Sequence, residues 1–279
     1  MLGAMSLKGQ AVYFVKQVAQ RYGIEIRRAA PEALGSNILA LAISDVVVRI
    51  LMNGGRTSDF TFVQIGANDG VSNDPIRKFV LKYQMRGVLV EPQPDVFARL
   101  QRNYEGVPGV TFENAAIAAK DGQRELYRFR PSPDLPQWAH GLASFSKETL
   151  TGNLQNVKGE VETIHVPTLS FGSLLRKHNL ERVDLLQIDA EGFDFEIIKM
   201  VDFSTVRPAI IHFEHGFLSR EEQEECCRYL NKHGYMVNNN DLNTLAYAEP
   251  QEQRLVRDWI PALSEQEREM VFGSAPQNS

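Results

Sequence analysis

The sequence predicts an α/β fold: a mostly parallel sheet with helices on both faces and one antiparallel hairpin at its edge. Apolar β-type runs alternate with helical patterns from Phe60 to Phe213, as in a parallel sheet covered on both sides. Two later runs, 235–237 and 244–248, flank a polar turn and read as a terminal hairpin. With 279 residues, 43% hydrophobic and 23% charged, the chain can bury one large core without metal or disulfide staples.

In order, residues 7–22 place Leu7, Ala11, Phe14, Val15, Val18 and Tyr22 at helical spacing. Pro31 and Gly35 punctuate a linker, and Ser36 reads as the N-cap of a second helix over 37–52, stopped by Asn53-Gly54-Gly55. Strands are expected at 60–65, 87–90, 110–113, 183–188 and 209–213, and helices at 76–83, 94–104, 171–178 and 193–201. Segments 126–129 and 163–166 alternate and suggest a side pairing. Ser219-Arg220-Glu221-Glu222 is a capping box whose helix stops near His233-Gly234. Residues 131–160 lack periodicity and read as a lid-like insertion. The expected organisation is a helical extension over 1–57, one binding domain over 58–250, and a C-terminal helix and tail over 251–279.

Net charge is −5, which gives no reason to expect nucleic acid as a partner. The charge is uneven: residues 1–58 hold seven Lys/Arg and three Asp/Glu, net +4, leaving −9 for the rest. That basic extension could cap a pocket, form a homodimer contact, meet anionic lipid or simply pack on the sheet. The apolar stretch 38–52 is broken by Asp45 and Arg49, too short and too charged to span a bilayer. The only cysteines, Cys226 and Cys227, are adjacent, and no signal-peptide pattern opens the chain, so the expectation is a reducing cytoplasm.

In open parallel sheets, ligands sit beyond the carboxyl ends of the strands. The first predicted strand leads into Gln64-Ile65-Gly66-Ala67-Asn68-Asp69-Gly70, whose glycines permit a tight turn and close ligand approach. Their spacing is not the fingerprint that seats a dinucleotide pyrophosphate. The second ends at Glu91-Pro92, and an acid there can accept from both ribose hydroxyls. The third ends at Asn114-Ala115-Ala116, small enough to admit a flat base. The fourth ends at Asp189-Ala190-Glu191-Gly192, two carboxylates behind an apolar run, and the fifth at His212-Phe213-Glu214-His215. Five successive strand ends with Gly, acid or amide groups are what a nucleoside site requires.

The segments FVQIGANDG, VLVEPQP, ENAAI, VPTLSFGSLL and DLLQIDAEGFDFEII resemble the FkbM family of class I methyltransferases over roughly 58–238. The resemblance implies a Rossmann-like sheet of seven strands whose last is antiparallel, and S-adenosylmethionine (SAM) as cofactor, with S-adenosylhomocysteine (SAH) as product. It implies that Gly66, Asn68, Asp69 and Gly70 surround the methionine part, Glu91 with Pro92 the ribose, and Asn114 with Ala115 the adenine. Asp189 and Glu191 would stand at the methyl-transfer end. Gln64 stands where the family usually has an acid, and could accept from the SAM amino group. Gln187 stands where the family often has Lys.

The family pattern points to O-methylation of a hydroxyl on a sugar, glycolipid or natural product. Candidates to receive its proton are Asp189, Glu191, His140, Glu214 and His215. His212, Glu214, His215 and Asp189 could in principle ligate a metal. Alternation, however, sends His215 away from His212 and Glu214, so a metal-free site is expected. A nicotinamide oxidoreductase on a similar sheet, or a SAM-binding scaffold without turnover, are the alternative readings.

Overall fold

The computed structural model describes residues 34–52, 54–152, 157, 159–240 and 242–248. The predicted helices at 7–22 and within 251–279 lie outside the described residues. Helix α1 spans Leu34–Met52, so Ser36 sits inside its first turn instead of capping it. A serine is tolerated there because its N–H has no intrahelical partner in any case. The Gly54 and Gly55 amides close the other end on the Leu51 and Ile50 carbonyls, as the Asn-Gly-Gly stop predicts.

Strands β1 (Thr61–Ile65), β2 (Arg86–Val90) and β3 (Val110–Glu113) alternate with α2 (Arg77–Tyr83) and α3 (Pro94–Asn103). Short β4 (Ala116–Ile117), β5 (Gly122–Phe129), β6 (Ala143–Ser144), α4 (Lys147–Gly152) and β7 (Val161–Leu169) follow. The chain then runs through α5 (Phe171–Lys177), β8 (Leu185–Ile188), α6 (Asp194–Lys199), β9 (Ile210–Glu214), α7 (Arg220–Lys232), β10 (Tyr235–Asn240) and β11 (Asn243–Ala248).

The main sheet has seven strands in the order β10-β11-β9-β8-β1-β2-β3. All pairings are parallel except those of β11, which runs antiparallel to both β9 and β10. This is the predicted architecture. Alternation splits its side chains into two cores. Val63, Ile65, Leu186, Ile188 and Phe213 pack on Leu174, Phe195, Ile198 and Leu230 of α5, α6 and α7. Phe62, Leu89, Leu185 and Ile210 face Ile43, Val46, Val47 and Ile50 of α1, with Phe79 and Val80 of α2. Each such side chain, fully buried, contributes about 1.5–3 kcal/mol. At least its second helix makes the N-terminal extension part of the core. Arg49 and Asp45 of α1 also pair with each other at 3.0 Å and both bond the Tyr247 hydroxyl on β11.

The predicted side pairing is a second sheet, β4-β7-β5-β6, in which β5 and β7 pair antiparallel over eight residues from Gly122↔Thr168 to Phe129↔Val161. The insertion is more ordered than its composition suggests: a 3-10 turn at Gln137–Gly141, then β6 and α4. Phe129, Leu135, Ala139 and Leu150 form a small core of their own under it. Capping chemistry behaves as read. Ser219 and Glu222 close a reciprocal box on α7, and Ser170 accepts from the Ser173 amide at the start of α5. Among the described residues, no helix is long and apolar enough to cross a membrane.

Candidate functional site

The first loop is stitched to both neighbouring strands. Gly66 and Ala67 each donate an N–H to the Val90 carbonyl at 3.0 Å, and Asp189 donates to the Ile65 carbonyl at 2.9 Å. Gly66 has φ of +74°, and a Cβ there would lie 1.8 Å from the Asp189 carbonyl oxygen. Glycine is therefore demanded by the meeting of the β1 and β8 ends. Asn68, at φ of +48°, donates its N–H to Glu91 Oε2 at 3.0 Å. Gln93 donates its own N–H to Glu91 Oε1, also at 3.0 Å.

Glu91 is thus only 3% exposed, with one backbone donor on each carboxylate oxygen. Burial pushes its pKa up to about 7, against the pull of those two hydrogen bonds. Each oxygen keeps a further lone pair, the arrangement that holds a pair of vicinal hydroxyls.

These residues bound a cleft beyond the strand ends. Gly66, Asn68, Glu91, Pro92, Ala115 and Asp189 of the predicted set line it, as does Glu191. One wall is apolar, from Ala116, Ile117, Leu126 and Phe145. Gly141, Ala143 and Ser144 from the 131–160 segment complete the rim. The lining, mostly apolar with a few convergent polar groups, suits a nucleoside cofactor.

The other predicted residues stand outside the lining, each for a visible reason. Gln64 is buried at 3% exposure, and its Oε1 has no partner among the described residues. Asp69 turns back on its own loop, accepting from the Val71 and Ser72 amides at 2.9 and 2.7 Å, which hold its carboxyl below the usual range despite burial. Gly70 is tight against Leu100 and Tyr104, at φ of +71°. Asn114 spends its amide donors on the Glu91 and Pro92 carbonyls, bracing the second loop from behind. The His140 ring sits 3.1 Å from the Leu135 carbonyl, so its Nε2 is a donor already in use. His215 is buried, with Nδ1 on the Thr244 hydroxyl at 2.9 Å, and ties the hairpin to β9.

At the far end of the cleft the carboxylates of Asp189, Glu191 and Glu214 converge, with oxygens all within 4.8 Å of one another. Asp189 lines the cleft, and desolvation raises its pKa to about 6. Burial first, then the charge and hydrogen bonding of Asp189, raise Glu214 to about 7. Glu191 is raised well above its ordinary value by burial and by its acidic neighbours, and its Oε2 is buried with no partner among the described residues. Behind them the wholly buried Asp194 is also raised, by desolvation and then by Asp189, while it accepts from the Ala190 amide. Such a cluster holds shared protons, accepts a proton or ligates a single cation.

The histidine-rich metal set does not assemble. His212 is turned to Gln187 Oε1 at 2.7 Å, and burial lowers its pKa to about 4. The three acids that could meet one ion are Asp189, Glu191 and Glu214.

Sequence reasoning missed Gln93. It is 1% exposed, lines the cleft and donates Nε2 to the Gly141 carbonyl at 2.7 Å. A signal was present. Gln93 occupies the N-cap of α3, where Ser, Thr, Asp or Asn would be expected, and its side chain makes no cap hydrogen bond.

The sequence model of the methyltransferase FkbM domain matches residues 64–237. No curated protein matches the chain. Solved structures to which the chain is similar include a precorrin-6y C5,15-methyltransferase from Geobacter metallireducens, 15% identical, covering 69% of this chain and 81% of that one at a TM-score of 0.36. A Methanococcus jannaschii fibrillarin pre-rRNA processing protein is 12% identical over 70% of this chain and 68% of its own, TM-score 0.36. A human methyltransferase 10 domain containing protein is 10% identical over 85% and 95%, TM-score 0.37. Overlaps this loose carry no weight for substrate.

Proposed function

The chain belongs to the FkbM family of SAM-dependent methyltransferases, and from that premise we propose that its acceptor is a hydroxyl oxygen of a sugar, glycolipid or natural-product scaffold. The nicotinamide alternative loses its support. The dinucleotide order 3-2-1-4-5-6 has no antiparallel strand wedged before its last position, and this sheet has β11 there.

The residues present fit the cofactor. The doubly braced Glu91 suits the ribose hydroxyls, and the Ala115, Ala116 and Leu126 wall suits a flat base. Asn68 and the Gly66 turn border the methionine side. When bound, SAM supplies a methyl group on a positively charged sulfur. The protein's task is to orient the acceptor and take its proton.

The observation that carries the hydroxyl reading is the Asp189–Glu191–Glu214 convergence. Its members' pKa values are pushed into or beyond the range where a carboxylate serves as a base near neutrality. Asp189 accepts the acceptor's proton. Glu214, hydrogen-bonded to Asp189, positions it. Carboxylates also match the donor-rich edge of a polyol.

The test is a transfer assay with labelled SAM against matched panels of polyhydroxyl, amine and thiol acceptors, alongside calorimetry with SAH. Methylation confined to hydroxyl acceptors is expected. Transfer only to nitrogen or sulfur would overturn the acceptor class. SAH binding with no transfer to any acceptor would favour the scaffold reading.

A further inference from the structure

Gln93 joins the cofactor loops to the 131–160 segment. Its backbone N–H braces Glu91 Oε1, and its side chain crosses to that segment, donating Nε2 to the Gly141 carbonyl at 2.7 Å. The acceptor is a carbonyl, so the nitrogen must be the end that faces it, which fixes the amide's orientation. Oε1 is then left buried without a partner in a side chain 1% exposed that lines the cleft. Buried amide oxygens find a donor in nearly every folded protein. No protein donor reaches this one among the described residues, so the remaining source is whatever fills the cleft.

Gly141 is held from a second side. A Cβ there would fall 2.3–2.5 Å from the Asn68 side-chain atoms, so the segment lies directly on the first loop. Asn68 in turn donates its N–H to Glu91 Oε2. Glu91, Gln93, Gly141 and Asn68 therefore form a closed ring of contacts at the Glu91 end of the cleft.

We propose that Gln93 is a cofactor-positioning residue: its Oε1 accepts a hydrogen bond from a hydroxyl or amino group of the bound nucleoside, and its Nε2 thereby fastens the 137–145 segment over the cleft. The proposal rests on the SAM reading above. Occupancy orients one end of the amide and stiffens the other, so cofactor binding is felt at Gly141 and closes the site before an acceptor enters.

The experiment is hydrogen exchange of the full chain, followed at 137–145 with SAH, with 5′-deoxy-5′-methylthioadenosine, with methionine, and with no addition. SAH and the thioadenosine are expected to slow exchange there about tenfold, the scale of one well-made hydrogen bond, and methionine to leave it unchanged. Gln93→Leu should bind SAH more weakly yet lose this ligand-dependent slowing. A merely structural Gln93 would change exchange equally with and without ligand. Wild-type protein that binds SAH by calorimetry with unchanged exchange at 137–145 overturns the proposal and leaves the cofactor reading intact. So does a Gln93→Leu variant that keeps the full slowing, or slowing by methionine alone. Failure of SAH to bind at all overturns both readings together.

Discussion

The cleft has acids at both ends, and they are held in opposite ways. Glu91 has a backbone donor on each oxygen. At the other end Asp189, Glu191 and Glu214 face one another, and Glu191 Oε2 has no donor among the described residues. Both ends raise carboxyl pKa values, Glu91 to about 7 and Asp189 to about 6. In Glu91 desolvation is countered by amides that favour the anion, which suits a group that binds without reacting. At Glu191 and Glu214 like charge adds to desolvation, which suits groups that exchange protons. The same residue type is thus a fixed anchor at one end and a proton store at the other.

Substitutions should separate the two ends. The largest effect is expected for Asp189→Asn. It keeps the shape and removes the base, so transfer should slow by about 10²–10⁴ while the SAH dissociation constant stays within about threefold. Labelled-methyl kinetics beside calorimetry measure both. A fully active variant would remove Asp189 from the chemistry.

Next is Glu91→Ala, which leaves the Asn68 and Gln93 amides unpaired in a buried site. We expect loss of about 2–4 kcal/mol, seen both as weaker SAH binding and as a lower melting temperature. Unchanged SAH affinity would show that Glu91 is only a brace.

Asp194→Asn comes third. The folded protein raises this carboxyl above its unfolded value, so the folded state holds the proton more tightly. Its stabilising share is complete below the unfolded pKa near 4 and is lost as pH rises through the folded value. Above neutrality the variant should therefore be more stable than wild type, read as a higher melting temperature. Equal melting temperatures at pH 8 would contradict the repulsion assigned to this end of the cleft.

The smallest effect is expected for His140→Gln, within about twofold in rate, because that ring is already committed to the Leu135 carbonyl. A hundredfold loss would return His140 to the list of bases.

The main sheet was legible because its strands are buried runs between helices with readable caps, such as Ser219 and Glu222 on α7. The two-residue β4 and β6 were not, since two residues carry no period. The strand-end rule found Gly66, Glu91, Ala115, Asp189 and Glu191, because position beyond a strand is set by topology. It could not separate lining from bracing. Asp69 and Asn114 have the right chemistry at strand ends, yet both spend it on nearby backbone. That choice depends on loop dihedrals that residue type alone does not specify. Nor could it see that His140 and His215 would find local partners, or that Gln93 would meet Gly141, 48 residues away.

A crystal structure of the protein with SAH bound tests the central claim most directly. The account predicts both ribose hydroxyls on the Glu91 carboxylate and the sulfur directed toward Asp189. A ligand lying the other way round, with its nucleoside among the Asp189, Glu191 and Glu214 carboxylates, would contradict it.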